Sequence, residues 1–193
     1  MSSYKEAFSK PPFFISYFIS EPSIFNSINK IFTKFSPDIV CFRDKKTENL
    51  EPLVKSFIQK ARKSNIKLAL INTHINLAIK YNYDGVHLTS KQFADIKTAK
   101  KNKLFVIISC HNEDEVILAK NYGADAATYS PIFDTPNKGK PKGIKELKYI
   151  VNKYQDKNFN IIALGGIIDD NHIEQIKQTQ AKGFASIRYF GIV

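Results

Sequence analysis

Eight short apolar runs alternate with seven amphipathic patterns along the chain, and this alternation restricts the fold more than any other feature. The apolar runs predict strands at 13–19, 38–42, 67–71, 85–87, 104–108, 126–129, 160–163 and 183–187. The patterns between them predict helices over 22–35, 47–64, 75–81, 91–102, 112–122, 144–154 and 169–178. The runs are nearly continuous, as expected for parallel strands buried on both faces. The chain is therefore predicted to fold as a (β/α)8 TIM barrel rather than an open doubly wound sheet.

The length suits one domain over residues 1–193, because 193 residues can build a full core but not two ordinary domains. The chain stops a few residues after the eighth apolar run, so the closing C-terminal helix of a barrel is expected to be absent. The flank beside the first strand is then expected to be bare. A homodimer contact that covers this flank is the corresponding hypothesis.

Composition narrows the class of protein. No apolar run approaches the roughly 20 residues of a membrane-spanning helix, and residues 13–19 lack a signal-peptide cleavage site. We therefore expect a cytoplasmic protein with no membrane partner. Cys41 and Cys110 lie inside apolar runs, which is typical of small buried core residues. The net charge of +11 suits phosphorylated ligands, whereas no nucleic-acid-binding motif accompanies it, so no nucleic-acid partner is predicted.

Groups that favour anions follow several of the predicted strands. Active sites of barrels form at the carboxyl ends of the strands, and phosphate often binds after strands seven and eight. Gly165 and Gly166 follow the seventh strand, and Arg188 ends the eighth. Arg43 and Lys45 follow the second. In the loop over 130–143, three lysines are expected to close over a bound phosphate: Lys138, Lys140 and Lys142.

The histidines and cysteines do not predict a zinc site. The first three histidines, His74, His87 and His111, follow successive strands, but no pair matches H-E-x-x-H and no cysteine is available as a partner. Ser109 and His111 are the residue types of a nucleophile and its base, but they are not expected to act as such a pair. Neighbours two positions apart rarely have that geometry, and no orienting carboxylate is evident.

Seven short motifs occur together in a specific order. They are F-R-D-K at 42–45, I-N at 71–72, D-G-V-H-L at 84–88, S-C-H at 109–111, G-A-D at 123–125, P-I-F-D-T-P-N-K at 131–138 and A-L-G-G-I at 163–167. In this order and spacing the chain resembles the thiamine-phosphate synthase and thiazole tautomerase family. The match covers most of the chain.

The resemblance implies a (β/α)8 barrel that joins 4-amino-2-methylpyrimidine methyl diphosphate to thiazole phosphate and releases diphosphate. The partners that it implies are these small phosphorylated pyrimidine and thiazole ligands. Ser109 and Lys138 would be catalytic. The residues that would bind the substrates, by matching position, are Arg43, Lys45, Asn72, Ser109, Thr135, Lys138, Gly165, Gly166 and, beside the glycine pair, Arg188.

The chain departs from the family pattern at four positions: Cys41, Thr73, Gln92 and Pro131. Cys41 stands where the family typically has a glutamine before the F-R-D-K-like segment. Synthases of the family hold Mg²⁺ with two aspartates, and those positions are Thr73 and Gln92 here, neutral side chains that cannot replace two anionic ligands of a hard cation. No metal ligand is therefore predicted, unless the neighbouring Asp95 substitutes. The tautomerase branch carries a histidine within 130–133, where this chain has Pro131, which cannot shuttle a proton. Two functions stay open: a synthase, impaired by the missing aspartates, and a non-catalytic or tautomerase-like relative that binds thiazole phosphate or thiamine phosphate in a regulatory role.

Overall fold

The computed structural model describes residues 14–191, which form a closed barrel of eight parallel strands. The strands are β1 (Ile15–Ile19), β2 (Ile39–Phe42), β3 (Leu68–Asn72), β4 (Gly85–Leu88), β5 (Phe105–Cys110), β6 (Ala126–Tyr129), β7 (Asn160–Leu164) and β8 (Gly183–Ser186). Each strand pairs with the next along the chain, and β8 pairs with β1, where Tyr17 lies opposite Ala185. This closure confirms the predicted barrel. The first predicted strand began at Phe13, which lies outside the described residues.

Within residues 14–191, an α-helix follows each strand from β1 to β7. The helices are α1 (Ile28–Phe35), α2 (Glu51–Lys63), α3 (Ile75–Lys80), α4 (Asp95–Lys101), α5 (Glu113–Tyr122), α6 (Gly143–Tyr154) and α7 (Asp170–Lys177), and a 3-10 helix (Pro22–Ser27) precedes α1. Each corresponds to a predicted helical pattern. None of these described helices has the length and apolar character needed to cross a membrane.

The predicted helix over 22–35 begins as the 3-10 helix and becomes α-helical only at Ile28. Two other helices begin later than predicted because side chains hold the preceding turns. The carboxylate of Asp44 accepts hydrogen bonds from the backbone N–H groups of Lys46 and Thr47, at 2.8 and 3.1 Å. The side-chain oxygen of Gln92 likewise accepts from the backbone N–H of Thr89 at 3.2 Å. Such local bonds compete with helical hydrogen bonds. The predicted starts at residues 47 and 91 were therefore wrong by four residues each, since α2 begins at Glu51 and α4 at Asp95.

The strands separate two apolar cores, which explains their continuous apolar runs. Side chains that point outward pack against the helices, and Cys110 lies in this larger core. Side chains that point inward fill the barrel: Ile15, Tyr17, Ile19, Ile39, Cys41, Leu68, Leu70, Phe105, Ile107, Ala126, Ile162 and Ala185. Both cysteines are free and buried, as predicted. The inside of the barrel is thus a packed core and not a pore.

Three aspartates fasten the strands at the amino-terminal end of the barrel. Asp38, Asp84 and Asp125 each precede a strand and accept the backbone N–H of a residue in the preceding strand, at 2.7 to 3.0 Å. Each also forms an ion pair with a lysine or arginine at 2.7 or 2.8 Å. The aspartates of D-G-V-H-L and G-A-D therefore serve the barrel wall and lie at the end opposite the candidate site.

An aromatic cluster covers the outer face between β1 and β8. No helix follows β8 within the described residues, yet Phe18 of β1 and Phe184 of β8 are both buried. Phe190 packs against these two rings, at centroid distances of 5.5 and 5.8 Å, and against Phe35 at 5.4 Å. The expectation of a bare flank was therefore wrong. The homodimer hypothesis rested on an uncovered flank, so this structure gives no reason for it.

Candidate active site

The side chains singled out in the sequence lie around the carboxyl-terminal rim of the barrel. Arg43 directly follows β2, Asn72 ends β3 and Ser109 belongs to β5. The loops after β6, β7 and β8 contribute the others: Thr135, Lys138, Gly165, Gly166 and Arg188. Because all eight strands are parallel, these positions share one end of the barrel.

Three cations come together at this rim. Lys45 has a lowered pKa because of the positive charge of Arg43 above all, and then because of burial and the charge of Lys138. Lys138 belongs to the loop after β6, so this loop must extend toward the end of β2. The backbone N–H of Arg43 is fixed by a 3.0 Å hydrogen bond to the hydroxyl of the buried Ser20. Three like charges at one rim favour the binding of a polyanion there.

The other lysines of the 130–143 loop have different surroundings. The ammonium of Lys142 lies 3.5 Å from the Glu146 carboxylate and 5.2 Å from the centre of the Tyr129 ring. Its backbone N–H donates to the backbone oxygen of Pro131 at 2.9 Å. Lys140 is exposed. Of the three lysines expected to close over a phosphate, Lys138 is thus the one whose charge acts on Lys45.

Gly165 and Gly166, after β7, must be glycines because the loop over 130–143 packs directly on their backbone. The backbone N–H of Phe133 donates to the backbone oxygen of Gly165 at 3.0 Å. A Cβ atom on Gly165 would lie 2.8 Å from the Cα of Pro131, and one on Gly166 would lie 2.5 Å from the carbonyl carbon of Phe133. Both glycines also have positive φ angles, of 95° and 73°. The pair therefore fixes the path of the loop, at a position where barrels often bind phosphate.

Arg188 and Thr135 lie next to this turn. The guanidinium of Arg188 donates to the backbone oxygen of Asp134 at 3.3 Å, and a Cβ atom on Gly166 would lie 2.6 Å from that same oxygen. The hydroxyl of Thr135 would lie 3.2 Å from a Cβ atom on Gly165. The guanidinium and the hydroxyl thus border the glycine turn, as the sequence suggested for Arg188.

The residues at the family's metal positions do not form a suitable Mg²⁺ site. Gln92 donates from its amide to the carboxylate of Asp95 at 3.0 Å and to the backbone oxygen of Thr73 at 3.5 Å. The hydroxyl of Thr73 donates to the backbone oxygen of Asn72 at 2.7 Å. The amide nitrogen of Gln92 thus bridges oxygens that could otherwise face a cation, and Asp95 supplies the one carboxylate. No group of three acidic, histidine or cysteine side chains suited to a metal occurs in residues 14–191.

A chain of polar side chains crosses the inside of the barrel, and the sequence interpretation missed it. The hydroxyl of Tyr17 lies 2.7 Å from Nδ1 of His87, and Nε2 of His87 lies 3.0 Å from the hydroxyl of Ser109. The hydroxyl of Thr128 is 3.4 Å from the same nitrogen. Burial, and secondarily the charge of Arg43, lowers the pKa of His87 to about 3, so its ring is neutral. The sequence feature that could have indicated this polar row is Tyr17, a polar side chain at an inward-facing position of an apolar strand.

His111 lies beside Ser130 and not beside a nucleophile in β5. Its Nδ1 is 3.1 Å from the hydroxyl and 3.2 Å from the backbone oxygen of Ser130. Ser109 instead contacts His87. The expectation that Ser109 and His111 form no nucleophile–base pair agrees with this arrangement.

Comparison with known proteins identifies relatives. The model of the family described as thiamine monophosphate synthase matches residues 17–190. A thiamine-phosphate synthase of Proteus mirabilis is 32% identical over 150 residues, which are 75% of this chain and 66% of the relative. A thiamine-phosphate synthase of Lactococcus lactis is 30% identical over 166 residues, 80% of this chain and 75% of the relative. The chain thus spans about two thirds to three quarters of these relatives.

A solved structure shares the fold. Thiamine phosphate pyrophosphorylase from Pyrococcus furiosus superposes with a TM-score of 0.75 at 20% identity, covering 90% of this chain and 85% of the other. At this identity, the likeness supports the barrel architecture. The sequence relatives carry the information about the family.

Proposed function

The chain belongs to the thiamine monophosphate synthase family, a family of transferases in thiamine biosynthesis, and we propose that it is itself a thiamine-phosphate synthase. In the proposed reaction, the bond between the pyrimidine methylene carbon and the diphosphate oxygen breaks. The diphosphate leaves with the bonding electrons, and the thiazole nitrogen forms a new bond to the methylene carbon. The products are thiamine phosphate and diphosphate.

The observation that carries this proposal is the cluster of Arg43, Lys45 and Lys138 at the rim. Departure of diphosphate leaves negative charge on its oxygens, and cations placed beside those oxygens stabilise that charge. The pKa of Lys45 is lowered by the charge of Arg43 above all, then by burial and by the charge of Lys138. A bound diphosphate relieves the repulsion between these charges, so the site is prepared for a polyanion.

The remaining side chains have roles that follow from their positions. We assign the thiazole phosphate to the turn at Gly165 and Gly166, with Arg188 and Thr135 beside it. Ser109 and Asn72 are assigned to the pyrimidine or its diphosphate. Lys138 is assigned to the leaving diphosphate, because its loop extends toward the end of β2.

We propose that cationic side chains, rather than Mg²⁺, supply most of the positive charge at the diphosphate. Thr73 and Gln92 are neutral, and their side chains already donate hydrogen bonds: Thr73 to the backbone oxygen of Asn72, and Gln92 to the backbone oxygen of Thr73 and to the Asp95 carboxylate. The single carboxylate of Asp95 is a poor site for a hard divalent ion. The family's dependence on Mg²⁺ is therefore not transferred to this chain. No step of the proposed reaction uses a bound metal.

The proposed partners are the two small phosphorylated substrates, in the cytoplasm. The +11 charge is accounted for in part by the rim cations, and no nucleic-acid or membrane partner is proposed. A homodimer is not needed to cover the outer face between β1 and β8, because the aromatic cluster lies there.

One observation favours a second candidate, a relative that binds the ligands without turnover. The Gln92 amide bridges the oxygens of Thr73 and Asp95, so the metal-binding chemistry of the family is lost. Such a binder is stabilised thermally by thiamine phosphate without forming it. A tautomerase is less well supported, since Pro131 is buried against Gly165 and carries no proton to transfer.

The two candidates are separated by one pair of measurements on the same preparation. Thermal unfolding with and without thiamine phosphate reports binding, and mass spectrometry of the two phosphorylated halves incubated with the protein reports turnover. The synthase proposal requires both signals. A thermal shift without product favours the binder, and absence of both signals contradicts either function.

A further inference from the structure

The inside of the barrel contains three polar side chains in a row within an otherwise apolar core. Tyr17 is fully buried, His87 is 4% exposed, and Ser109 is partly exposed toward the rim. The contacts run from the Tyr17 hydroxyl to Nδ1 of His87 and from Nε2 of His87 to the Ser109 hydroxyl, at 2.7 and 3.0 Å. Polar groups in such a core are costly unless each is hydrogen-bonded, so a row like this needs a reason.

The direction of these hydrogen bonds follows from the donors that are present. The buried Tyr17 hydroxyl must donate to an acceptor, and the neighbouring thiol of Cys41 points its own S–H toward the backbone oxygen of Phe42 at 3.5 Å. An imidazole nitrogen at 2.7 Å is a much better acceptor than sulfur. Tyr17 therefore donates to Nδ1 of His87. A neutral ring that accepts at Nδ1 carries its hydrogen on Nε2.

This tautomer determines what Ser109 can do. The Nε2–H of His87 donates to the Ser109 oxygen at 3.0 Å and also faces the Thr128 oxygen, at the longer distance of 3.4 Å. The hydroxyl hydrogens of both Ser109 and Thr128 are therefore directed away from the histidine. The backbone oxygen of His87 also accepts the side-chain amide of Asn72 at 2.7 Å, which leaves the Asn72 amide oxygen available as an acceptor. One residue, His87, thus orients two side chains at the rim. The charge of Arg43 acts on His87, so this polar row borders the cation cluster.

We propose that Tyr17 and His87 are positioning residues that hold Ser109 as a hydrogen-bond donor to an acceptor atom of the bound substrate. The acceptor is a ring nitrogen or a diphosphate oxygen, which share this chemistry. The effect of this hydrogen bond on the reaction rests on the proposed synthase function. The tautomer of His87 and the orientation of the Ser109 hydroxyl do not depend on that function. Ser109 touches the substrate; Tyr17 and His87 act through it.

The first test observes the tautomer directly and needs no activity. Protein labelled with ¹⁵N-histidine has four histidines, and the His87→Gln variant identifies the signal of His87. A long-range proton–nitrogen correlation spectrum at neutral pH is expected to show a neutral ring protonated on Nε2. In Tyr17→Phe the Nδ1 atom loses its donor, and a mixture of tautomers is expected. A ring protonated on Nδ1, or a charged ring, in the wild type contradicts the proposal.

The second test uses kinetics with a matched control. Tyr17→Phe is expected to lower kcat roughly tenfold, because a donor is disordered rather than removed. Tyr83→Phe removes another buried hydroxyl, which donates to the backbone oxygen of Val54 at 2.8 Å in the outer wall, and is expected to leave kcat unchanged. His87→Gln, whose amide can still donate near the Nε2 position, should retain more activity than His87→Leu. Equal kcat values for Tyr17→Phe and Tyr83→Phe would overturn the proposal.

Binding of inorganic diphosphate distinguishes the two acceptors and also separates this inference from the proposed function. Calorimetry with Tyr17→Phe is expected to show weaker diphosphate binding if Ser109 donates to an oxygen, and unchanged binding with a lower kcat if it donates to the ring nitrogen. If the wild type forms no product, the synthase proposal fails while the spectrum still decides the tautomer. Unchanged diphosphate binding together with an unchanged kcat contradicts the positioning role.

Discussion

Lys138, in the loop after β6, lies near enough to Lys45, after β2, for its charge to lower the pKa of the Lys45 ammonium. The two lysines come from distant parts of the sequence and meet over the carboxyl-terminal end of the barrel. Arg43 contributes the larger effect at the same place. In the proposed synthase reaction, this cluster is where the leaving diphosphate is stabilised.

Neutralising either lysine should weaken binding of diphosphate. A hydrogen bond to a charged group contributes about 1.5–3 kcal/mol, so Lys45→Gln and Lys138→Gln are each expected to weaken binding by roughly 10- to 100-fold. Lys55→Gln, on the exposed face of α2, makes the same change in net charge away from the rim. Calorimetric titration with inorganic diphosphate measures the effect. An equal loss of affinity in Lys55→Gln would mean that net charge alone accounts for binding.

Activity of the wild type should be insensitive to removal of divalent cations. The double variant Thr73→Asp, Gln92→Asp places two carboxylates beside Asp95 and is expected to gain Mg²⁺-dependent activity. Thr73 has a φ of 66°, a conformation that aspartate adopts more readily than a β-branched residue, so the change should not strain the backbone. Initial rates with EDTA and with added Mg²⁺ check this. A wild type that is inactive with EDTA and restored by Mg²⁺ would show that the present residues do hold the ion.

The glycine turn after β7 should not tolerate a side chain at Gly165. Its positive φ costs an L-residue about 1–2 kcal/mol, and the clash with Pro131 adds about 1–3 kcal/mol. Gly139→Ala is the control, because Gly139 has a φ of 71° in the loop over 130–143 but nothing within 4 Å of its added Cβ. Denaturant unfolding should therefore show a larger loss of stability for Gly165→Ala, together with weaker binding of thiazole phosphate. Equal losses in the two variants would argue against close packing of the loop on the turn.

Protein stability should fall in mild acid because of His87. Its pKa is about 3 in the folded protein and 6.5 in the unfolded chain, so the unfolded chain binds more protons between these values. This residue contributes up to about 1.4 kcal/mol of lost stability per pH unit as the pH falls below about 6.5, and no pH dependence above it. The charge of Arg43 opposes protonation of the ring, and the ring's hydrogen-bond partners Tyr17, Ser109 and Thr128 offer no carboxylate to pair with a charged ring. Unfolding free energies of the wild type and His87→Gln over this range test the prediction; equal slopes would contradict it.

The barrel itself was predictable from the sequence because continuous apolar runs and helical patterns report burial locally. The starts of α2 and α4 were predicted too early, because hydrogen bonds from the backbone to the side chains of Asp44 and Gln92 hold turns where helix was predicted. The aromatic cluster around Phe190 was missed because its packing depends on the closure of β1 against β8.

The candidate site was predictable in part. Arg43 and Lys45 are close in sequence, so their proximity at the end of β2 required no knowledge of the fold. The reach of Lys138 and the diversion of Lys142 to Glu146 depend on the path of a long loop. The contact of Tyr17 with His87 joins strands on different sides of the barrel interior, and a pattern within one strand cannot reveal it.

The most direct test of the account is a synthesis assay with the purified full chain in the presence of EDTA. The pyrimidine methyl diphosphate and thiazole phosphate are incubated with micromolar protein, and thiamine phosphate and released diphosphate are both quantified. The account predicts equal amounts of the two products, formed above the control without protein, and a large decrease in rate for Lys138→Gln but not for Lys55→Gln. Absence of thiamine phosphate with EDTA, in a preparation that binds the substrates, would contradict it, whether or not product forms with added Mg²⁺.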